Sequence, residues 1–270
     1  MTSSKFNQLG FFRKSGLILT SLSILMIPIS AHAEDSETVS TSADSYILDW
    51  DDYSETGIDR NQVNTFDIGG GTVDIEFLNP ENFTEFGGAT TPQINSILNG
   101  ENTDSEKSLH LQIDPKDEIS SITMKSRFSG FQKSLVNVSF ILYDIDISAK
   151  NQWQDLVSLR GYGNEGQEVN PTFNILGDTL KASDANTLSG FESADNNSSR
   201  GNVEVSFRGI NGFDLLFADG NDLNLSDQKN HGIGVGDIEV KDVPEPTAAL
   251  ALGIFAIAAF SKRKFAQSQL

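Results

Sequence analysis

The chain has 270 residues, a formal net charge of −19 and no cysteine, and 37% of its residues are hydrophobic. The missing cysteines exclude disulfides, thiolate metal sites and a cysteine nucleophile. The stretch from Glu34 to Glu245 holds all 38 acidic residues but only 13 basic ones, and so negative a surface repels phosphate and argues against nucleic-acid binding.

The first 33 residues have the pattern of a secretory signal peptide. Basic residues precede an apolar run at 16–29, which is followed by Ser30-Ala31-His32-Ala33-Glu34 with its Ala-x-Ala cleavage pattern. We expect an N-terminal signal helix, export through the inner membrane and cleavage by signal peptidase, with a processing site formed by Ala31, Ala33 and Glu34. An uncleaved membrane anchor and a buried core helix are the alternatives. The acidic stretch 34–45 is predicted to be a flexible lead-in.

The middle of the chain alternates apolar and polar residues with a period of two, which is typical of half-buried β-strands. The clearest runs are 73–77, 109–113, 136–142, 203–207 and 213–217. Turn-forming Gly, Asn and Asp residues separate them. We therefore predict one all-β domain over 46–240, an antiparallel β-sandwich of jelly-roll-like form.

Two aspartates follow the longest of these runs. Asp144 and Asp146 have the same parity as the core-facing residues before them, and a buried carboxylate without a partner is costly. Either the strand stops or bulges there, or a cation lies between them. With Asp155 as a third oxygen ligand, the pattern predicts a structural Ca²⁺ site; the alternative is that all three are loop aspartates that accept hydrogen bonds from the backbone.

Two tryptophans are candidate ligand-binding residues. Trp50 lies in Asp49-Trp50-Asp51-Asp52, and Trp153 lies in a polar connection, so both rings are candidates for exposure at the surface, where a sugar could stack on them. Packing in the core is the alternative, because Trp is largely buried on average.

No catalytic motif is found in the sequence. There is no Gly-x-Ser-x-Gly elbow, phosphate-binding loop or dinucleotide fingerprint. Of the histidines that remain after cleavage, His110 alternates outward on a predicted strand and His231 lies in a Gly-rich stretch, so both are expected at the surface. We predict no catalytic residue and no enzyme activity.

The C-terminal residues fall into three parts. A linker at 241–247 contains Pro244-Glu245-Pro246, an uncharged apolar stretch covers 248–260, and the final segment 261–270 includes Lys262-Arg263-Lys264. Basic residues after an apolar segment stay in the cytoplasm. The apolar stretch is shorter than the roughly 20 residues that span a bilayer comfortably.

This order of parts resembles the PEP-CTERM sorting signal over about the last 28 residues. The resemblance implies a short C-terminal transmembrane helix, a sorting motif at Pro244, Glu245, Pro246, Lys262, Arg263 and Lys264, and processing by an exosortase-like enzyme. It also implies an organism that makes extracellular polysaccharide, as substrates of this kind typically come from such organisms. A plain single-pass anchor is the alternative. Segments 137–146 and 232–238 loosely resemble exported adhesin-like β-sandwich domains.

Together these features predict a non-catalytic protein of the cell envelope, cell surface or extracellular matrix, with a role in adhesion or the biofilm. Extracellular polysaccharide is the expected partner. The alternatives are a secreted hydrolase of polysaccharide that uses Asp144 or Asp146 as a catalytic carboxylate, and a purely structural matrix protein.

Overall fold

The computed structural model describes residues 44–103, 105–114, 120–150, 152–220 and 229–243. The predicted signal peptide, nearly all of the lead-in, the Pro-Glu-Pro motif, the apolar stretch and the basic cluster lie outside these residues. The described residues belong to one compact unit, Thr41–Leu270. Within them, no helix has the length and apolar character needed to cross a membrane.

The first half of the described chain contains nine strands. They are β1 (Ser45–Leu48), β2 (Asn64–Asp67), β3 (Thr72–Leu78), β4 (Glu85–Phe86), β5 (Ala89–Thr90), β6 (Gln93–Asn95), β7 (Ser108–Ile113), β8 (Ser121–Ser129) and β9 (Val136–Tyr143).

Nine more strands follow in the second half. They are β10 (Asp155–Tyr162), β11 (Glu168–Val169), β12 (Thr172–Ile175), β13 (Leu180–Ala182), β14 (Thr187–Gly190), β15 (Val203–Ile210), β16 (Gly212–Asp219), β17 (His231–Val235) and β18 (Ile238–Asp242). The helical elements of the described residues are short 3-10 turns, at Trp50–Asp52, Pro80–Asn82 and Ser199–Gly201.

The strands form two antiparallel sheets and a small hairpin. In the first sheet the order is β1-β18-β9-β17-β7-β6, with β15 pairing to β9 and β12 to β15. In the second sheet the order is β13-β14-β10-β16-β8-β3-β2, with β11 pairing to β10. Strands β4 and β5 form the hairpin. The predicted all-β fold is confirmed for the described residues.

The two sheets share one hydrophobic core. Phe140 of the first sheet stacks on Phe213 of the second, with ring centroids 5.0 Å apart, and Phe207 stacks on the same ring at 5.7 Å. All three rings are at most 3% exposed. Burying each contributes about 1.5 to 3 kcal/mol, so the alternation seen in the sequence directly supplies the energy that joins the sheets.

The five alternating runs coincide with β3, β7, β9, β15 and β16. The borders of the domain differ slightly from the prediction, because β1 begins at Ser45, within the predicted lead-in, and β18 reaches Asp242, within the predicted linker. The reason is pairing: Ser45 lies opposite Lys241, and the Asp242 N–H donates to the Asp44 carbonyl at 3.2 Å.

Candidate functional site

Five ionisable side chains meet at one end of the sandwich, where strands of both sheets begin or end. Asp144 and Asp146 follow β9, Asp155 begins β10, Asp219 ends β16 and His231 begins β17. Asp155 and Asp219 are directly opposite in the β10–β16 pair. We call these five residues the acidic cluster. Asp144, Asp146, Asp155 and His231 are buried, and Asp144 is the most exposed of these four, at 8%. Asp219 is half-buried as a residue, but its side chain is 2% exposed.

The chain reverses between Asp146 and Asp155, and this places their side chains together. The Asp155 N–H donates to the Asp146 carbonyl at 3.0 Å, and the Asp146 N–H donates to Asp155 Oδ2 at 2.9 Å. Strand β9 ends at Tyr143 because Asp144 adopts a left-handed backbone with φ of 63°. Of the two outcomes expected from the parity of these aspartates, the strand therefore stops.

His231 lies between two carboxylates. Its Nδ1 is 2.5 Å from Asp155 Oδ1 and its Nε2 is 2.6 Å from Asp219 Oδ1. The second contact has the distance of an ion pair but not the angle of a hydrogen bond, so neither Asp219 oxygen accepts a hydrogen bond from the described residues. The His231 and Asp219 side chains are 1% and 2% exposed.

The charge on His231 follows from this geometry. Burial alone would lower its pKa, but Asp155 and Asp219 outweigh burial and raise the pKa to about 9. Burial also raises the pKa of Asp155, and its hydrogen bond with His231 opposes that rise. The imidazole is therefore a protonated ring at neutral pH, and it has no lone pair with which to accept a proton.

Asp144 and Asp146 differ in how they are held. Asp146 Oδ2 accepts a hydrogen bond from the Ala194 N–H at 2.8 Å, and the carboxylate also accepts one from the Trp153 indole. Among the described residues, the Asp144 carboxylate has no hydrogen-bond donor and no ion-pair partner. Burial, reinforced by the neighbouring carboxylates, raises the pKa of Asp144 to about 8 and that of Asp146 to about 7.

A small cavity opens beside the cluster. It has a volume of about 80 Å³, and Asp144, Asp146, Trp153, His110 and His231 contribute to its wall. A water molecule takes about 30 Å³ in the liquid, so the cavity holds two or three waters or one ion with part of its water shell. It is too small for a sugar ring.

The structure brings together the three aspartates predicted to bind calcium, but not as three free ligands. Both Asp155 oxygens are engaged, one by His231 and the other by the Asp146 N–H. Within the described ranges no group of three or more His, Asp or Glu side chains has an arrangement that holds a metal ion. The calcium prediction with Asp155 as third ligand therefore gains no support from the geometry.

The two tryptophans have different environments. Trp153 is half-buried, and its ring lies nearly parallel to the His231 imidazole with centroids 6.3 Å apart. For Trp50 the alternative, packing in the core, is the one observed: it is 0% exposed, its indole N–H donates to the Gly236 carbonyl at 3.0 Å, and its ring packs edge-on against Phe66. Trp50 therefore offers no surface for a sugar.

The expectation that both histidines lie at the surface is also wrong. His110 is 1% exposed and His231 is 4% exposed. Strand β7 is buried on both faces, and the face that carries His110 is covered by the β4–β5 hairpin, whose Phe86 ring lies 4.8 Å from the imidazole. Burial lowers the pKa of His110 to about 4, so this second imidazole stays neutral.

A second candidate site is an open groove of about 210 Å³ on the outer face of the second sheet. Its wall includes Tyr162, Arg160 and Ser158 of β10, Asp214 of β16 and Thr123 of β8. The volume is below the roughly 300 to 1,000 Å³ of pockets for drug-sized ligands. The groove therefore suits a single small ring, and its lining of hydroxyl, carboxylate and guanidinium groups suits a ligand with many hydroxyls.

Hydrogen bonds hold the groove residues in position. The Tyr162 hydroxyl donates to Asp214 Oδ2 at 2.7 Å, and Arg127 Nη2 donates to Asp214 Oδ1 at 2.9 Å. The Arg127 guanidinium lies 5.2 Å from the centroid of the Tyr162 ring. Gly212 lies between Arg127 and Tyr162 in the strand register, and its missing side chain leaves the space in which they meet.

Comparisons with known proteins add no relative. No protein-family model matches the chain, and no curated protein matches it either. Sequence reasoning missed His231 and Asp219, which lie far from Asp155 along the chain. The neighbouring Gly232 and Gly234 gave no signal for His231, because they lie on the opposite face of β17, where they mark close approach by a neighbouring backbone. The Leu98 carbonyl lies where a Cβ of Gly234 would be.

Proposed function

We propose that the chain is an exported, surface-sorted protein of the cell envelope or extracellular matrix, with a jelly-roll-like β-sandwich that binds glycan without cleaving it. The export and sorting part rests on the order of the two terminal segments, with the Ala-x-Ala site at Ala31 and Ala33 and the Pro-Glu-Pro motif at Pro244 to Pro246. Signal peptidase and an exosortase-like enzyme are the processing partners.

One observation carries the glycan-binding part, the groove beside Tyr162. Its ring offers an apolar face for a pyranose, and Asp214 and Arg160 supply an acceptor and donors for hydroxyl groups at the edge of that ring. Arg127 holds Tyr162 and Asp214 in position, because its guanidinium lies over the Tyr162 ring and donates a hydrogen bond to Asp214. A pre-positioned groove loses little conformational entropy when a ligand binds.

The absence of catalysis is supported by the state of His231. Both ring nitrogens face carboxylates at 2.5 and 2.6 Å, and the protonated ring has no lone pair for a general base. The cavity beside it is too small to admit a sugar. Catalysis by a histidine-activated nucleophile is therefore disfavoured at this place.

A polysaccharide hydrolase is the second candidate, and one observation favours it. The pKa values of Asp144 and Asp146 are raised to about 8 and 7, which keeps a carboxylic acid protonated near neutral pH, as a general acid requires. Product release in the binding experiment below would select this candidate.

The test of glycan binding is a glycan array probed with the full chain and followed by analysis of the medium for released sugars. We expect retention without release, and a loss of at least tenfold in affinity for Tyr162→Ala. Tyr46→Ala, which removes a tyrosine that packs on Phe131 away from the groove, is the matched control and should bind as the native chain does. If the chain is not retained on any glycan and releases no sugar, a purely structural matrix protein is the remaining candidate.

Mass spectrometry of the protein from its native host tests the sorting. We expect an N-terminus at Glu34 and a C-terminus near Pro246. A chain that still ends at Leu270 in the envelope would favour a plain anchor over sorting.

A further inference from the structure

One carboxylate in the acidic cluster, that of Asp144, has no hydrogen-bond donor or ion-pair partner among the described residues. Asp144 is only 8% exposed and lines the cavity. Buried polar groups are nearly always hydrogen-bonded, and an ionised carboxylate without a partner costs more than a neutral group. Because Asp144 lines the cavity, its partner must come from what fills that cavity, and a cation there would neutralise its charge.

The charge of the whole cluster leads to the same conclusion. Four carboxyl groups share one imidazolium, and His231 already lies between Asp155 and Asp219. When all four carboxyls are ionised, the cluster has a net charge of −3 inside the protein. Asp144 and Asp146, which line the cavity, carry two of these three negative charges, and the third remains on the group of Asp155, Asp219 and His231.

The remaining cavity wall offers neutral oxygen ligands. Gln112 Nε2 donates to the Glu85 carbonyl at 2.9 Å, and Asn230 Nδ2 donates to Thr84 Oγ1 at 3.2 Å. Both amides therefore direct their N–H groups elsewhere and keep a carbonyl oxygen as an acceptor. Both residues line the cavity, whose 80 Å³ accommodates one ion with one or two waters.

We propose that this cavity binds one Ca²⁺ ion, with Asp144 and Asp146 as its charged ligands and amide and water oxygens completing the coordination. Two carboxylates with neutral oxygens are compatible with the absence, among the described residues, of a three-residue His, Asp or Glu group suited to a metal. Asp155 is a positioning residue that holds Asp146 and His231. Oxygen ligands of this kind suit Ca²⁺, whereas zinc prefers nitrogen or sulfur ligands.

The proposal is independent of glycan binding, and its test uses no glycan. Thermal unfolding of the full chain is measured with CaCl2 and with a chelator. At 100 times Kd we expect Ca²⁺ to raise Tm by about 5 to 10 °C. Asp144→Asn keeps the shape of the side chain and should reduce this shift to near zero. Asp184→Asn removes the same charge from an exposed loop and should keep the full shift.

A second measurement works on the native chain and does not depend on a variant at the site. Tb³⁺ is a luminescent substitute for Ca²⁺, and Trp153 in the cavity wall is close enough to sensitise it. We expect Tb³⁺ emission on tryptophan excitation, its displacement by CaCl2, and its loss in Trp153→Phe but not in Trp50→Phe.

Three outcomes would overturn the proposal. These are an unchanged Tm with Ca²⁺, an equal Tm shift in the native chain and Asp144→Asn, and Tb³⁺ emission that CaCl2 does not displace. Should Asp144→Asn fail to fold, the Tb³⁺ displacement alone decides.

Discussion

The groove on the outer face and the acidic cluster at the end of the sandwich differ in how far water reaches their charged side chains and in how those charges are paired. In the groove, Arg127 pairs with Asp214 and Arg160 pairs with Glu168, at 2.9 and 3.0 Å, and water reaches these side chains. In the cluster, the side chains are buried, and His231 lies between Asp155 and Asp219 while Asp144 and Asp146 line the cavity. The charges of the groove are thus neutralised by neighbouring strands, whereas the cluster has four carboxyl groups and one imidazolium.

This difference in solvent access sets the size of each expected effect. A surface ion pair contributes little because water and salt screen it. Removing one member of a buried pair leaves an uncompensated charge in a medium that stabilises it poorly. The same chemical groups therefore matter far more at the end of the sandwich than on its face, and the following four predictions test that ranking.

The largest effect is expected for His231→Ala. This change leaves Asp155 and Asp219 buried without their shared cation, and we expect a loss of about 3 to 5 kcal/mol in the free energy of unfolding. Urea denaturation at pH 7 measures it. A loss below about 1 kcal/mol would show that the cluster is as well solvated as the groove.

The next effect concerns pH and His110. Its folded pKa of about 4 is below the ordinary value of 6.5 because of burial, so between these values the unfolded state binds the extra proton. Stability from this residue is full above pH 6.5 and is lost as pH falls toward 4, by at most about 3 kcal/mol.

Urea denaturation at pH 7 and pH 4.5 checks the histidine prediction. His110→Asn removes the titrating group and keeps a polar side chain beside Asn95, so its stability should fall less between the two pH values than that of the native chain. Equal falls would mean that His110 is protonated in the folded protein.

A smaller effect is expected for Tyr162→Phe in the groove. The change removes the hydroxyl that donates to Asp214, and we expect a loss of about 0.5 to 1.5 kcal/mol, since water replaces the lost donor. Glycan retention should be largely preserved because the ring remains. A loss of 3 kcal/mol or more in urea denaturation would contradict the contrast drawn between the two sites.

The smallest effect is expected for Arg160→Ala. Its side chain and that of Glu168 are 50% and 60% exposed, and such pairs contribute about 0 to 1 kcal/mol. Denaturation in low and high salt measures this contribution, which should shrink further in high salt.

The strands were predictable from the sequence, whereas the site was only partly so. The alternation at Val203, Val205 and Phe207 reports that one face is buried, and this local property identifies the strand directly. Alternation does not report whether the other face is also covered. His110 was therefore assigned to the surface, although the β4–β5 hairpin covers it.

Within the acidic cluster, the sequence indicated the residues that are close along the chain. Asp144, Asp146 and Asp155 lie within a dozen residues. The alternation of the strand places the first two on the core-facing side, where a carboxylate without a partner is costly. His231 and Asp219 join them only through the pairing of β10 with β16 and the position of β17 in the other sheet. Such long-range pairing has no local signal in a single sequence.

The central claim is that His231 is a ring that is protonated at neutral pH between two buried carboxylates, and nitrogen-15 NMR of the imidazole tests it most directly. The signals of His231 are assigned by their loss in His231→Asn. At pH 8 we expect both ring nitrogens to carry protons, because the pKa of His231 is raised to about 9. A neutral ring at pH 8, with one nitrogen unprotonated, would contradict the account and return His231 to the candidates for a catalytic base.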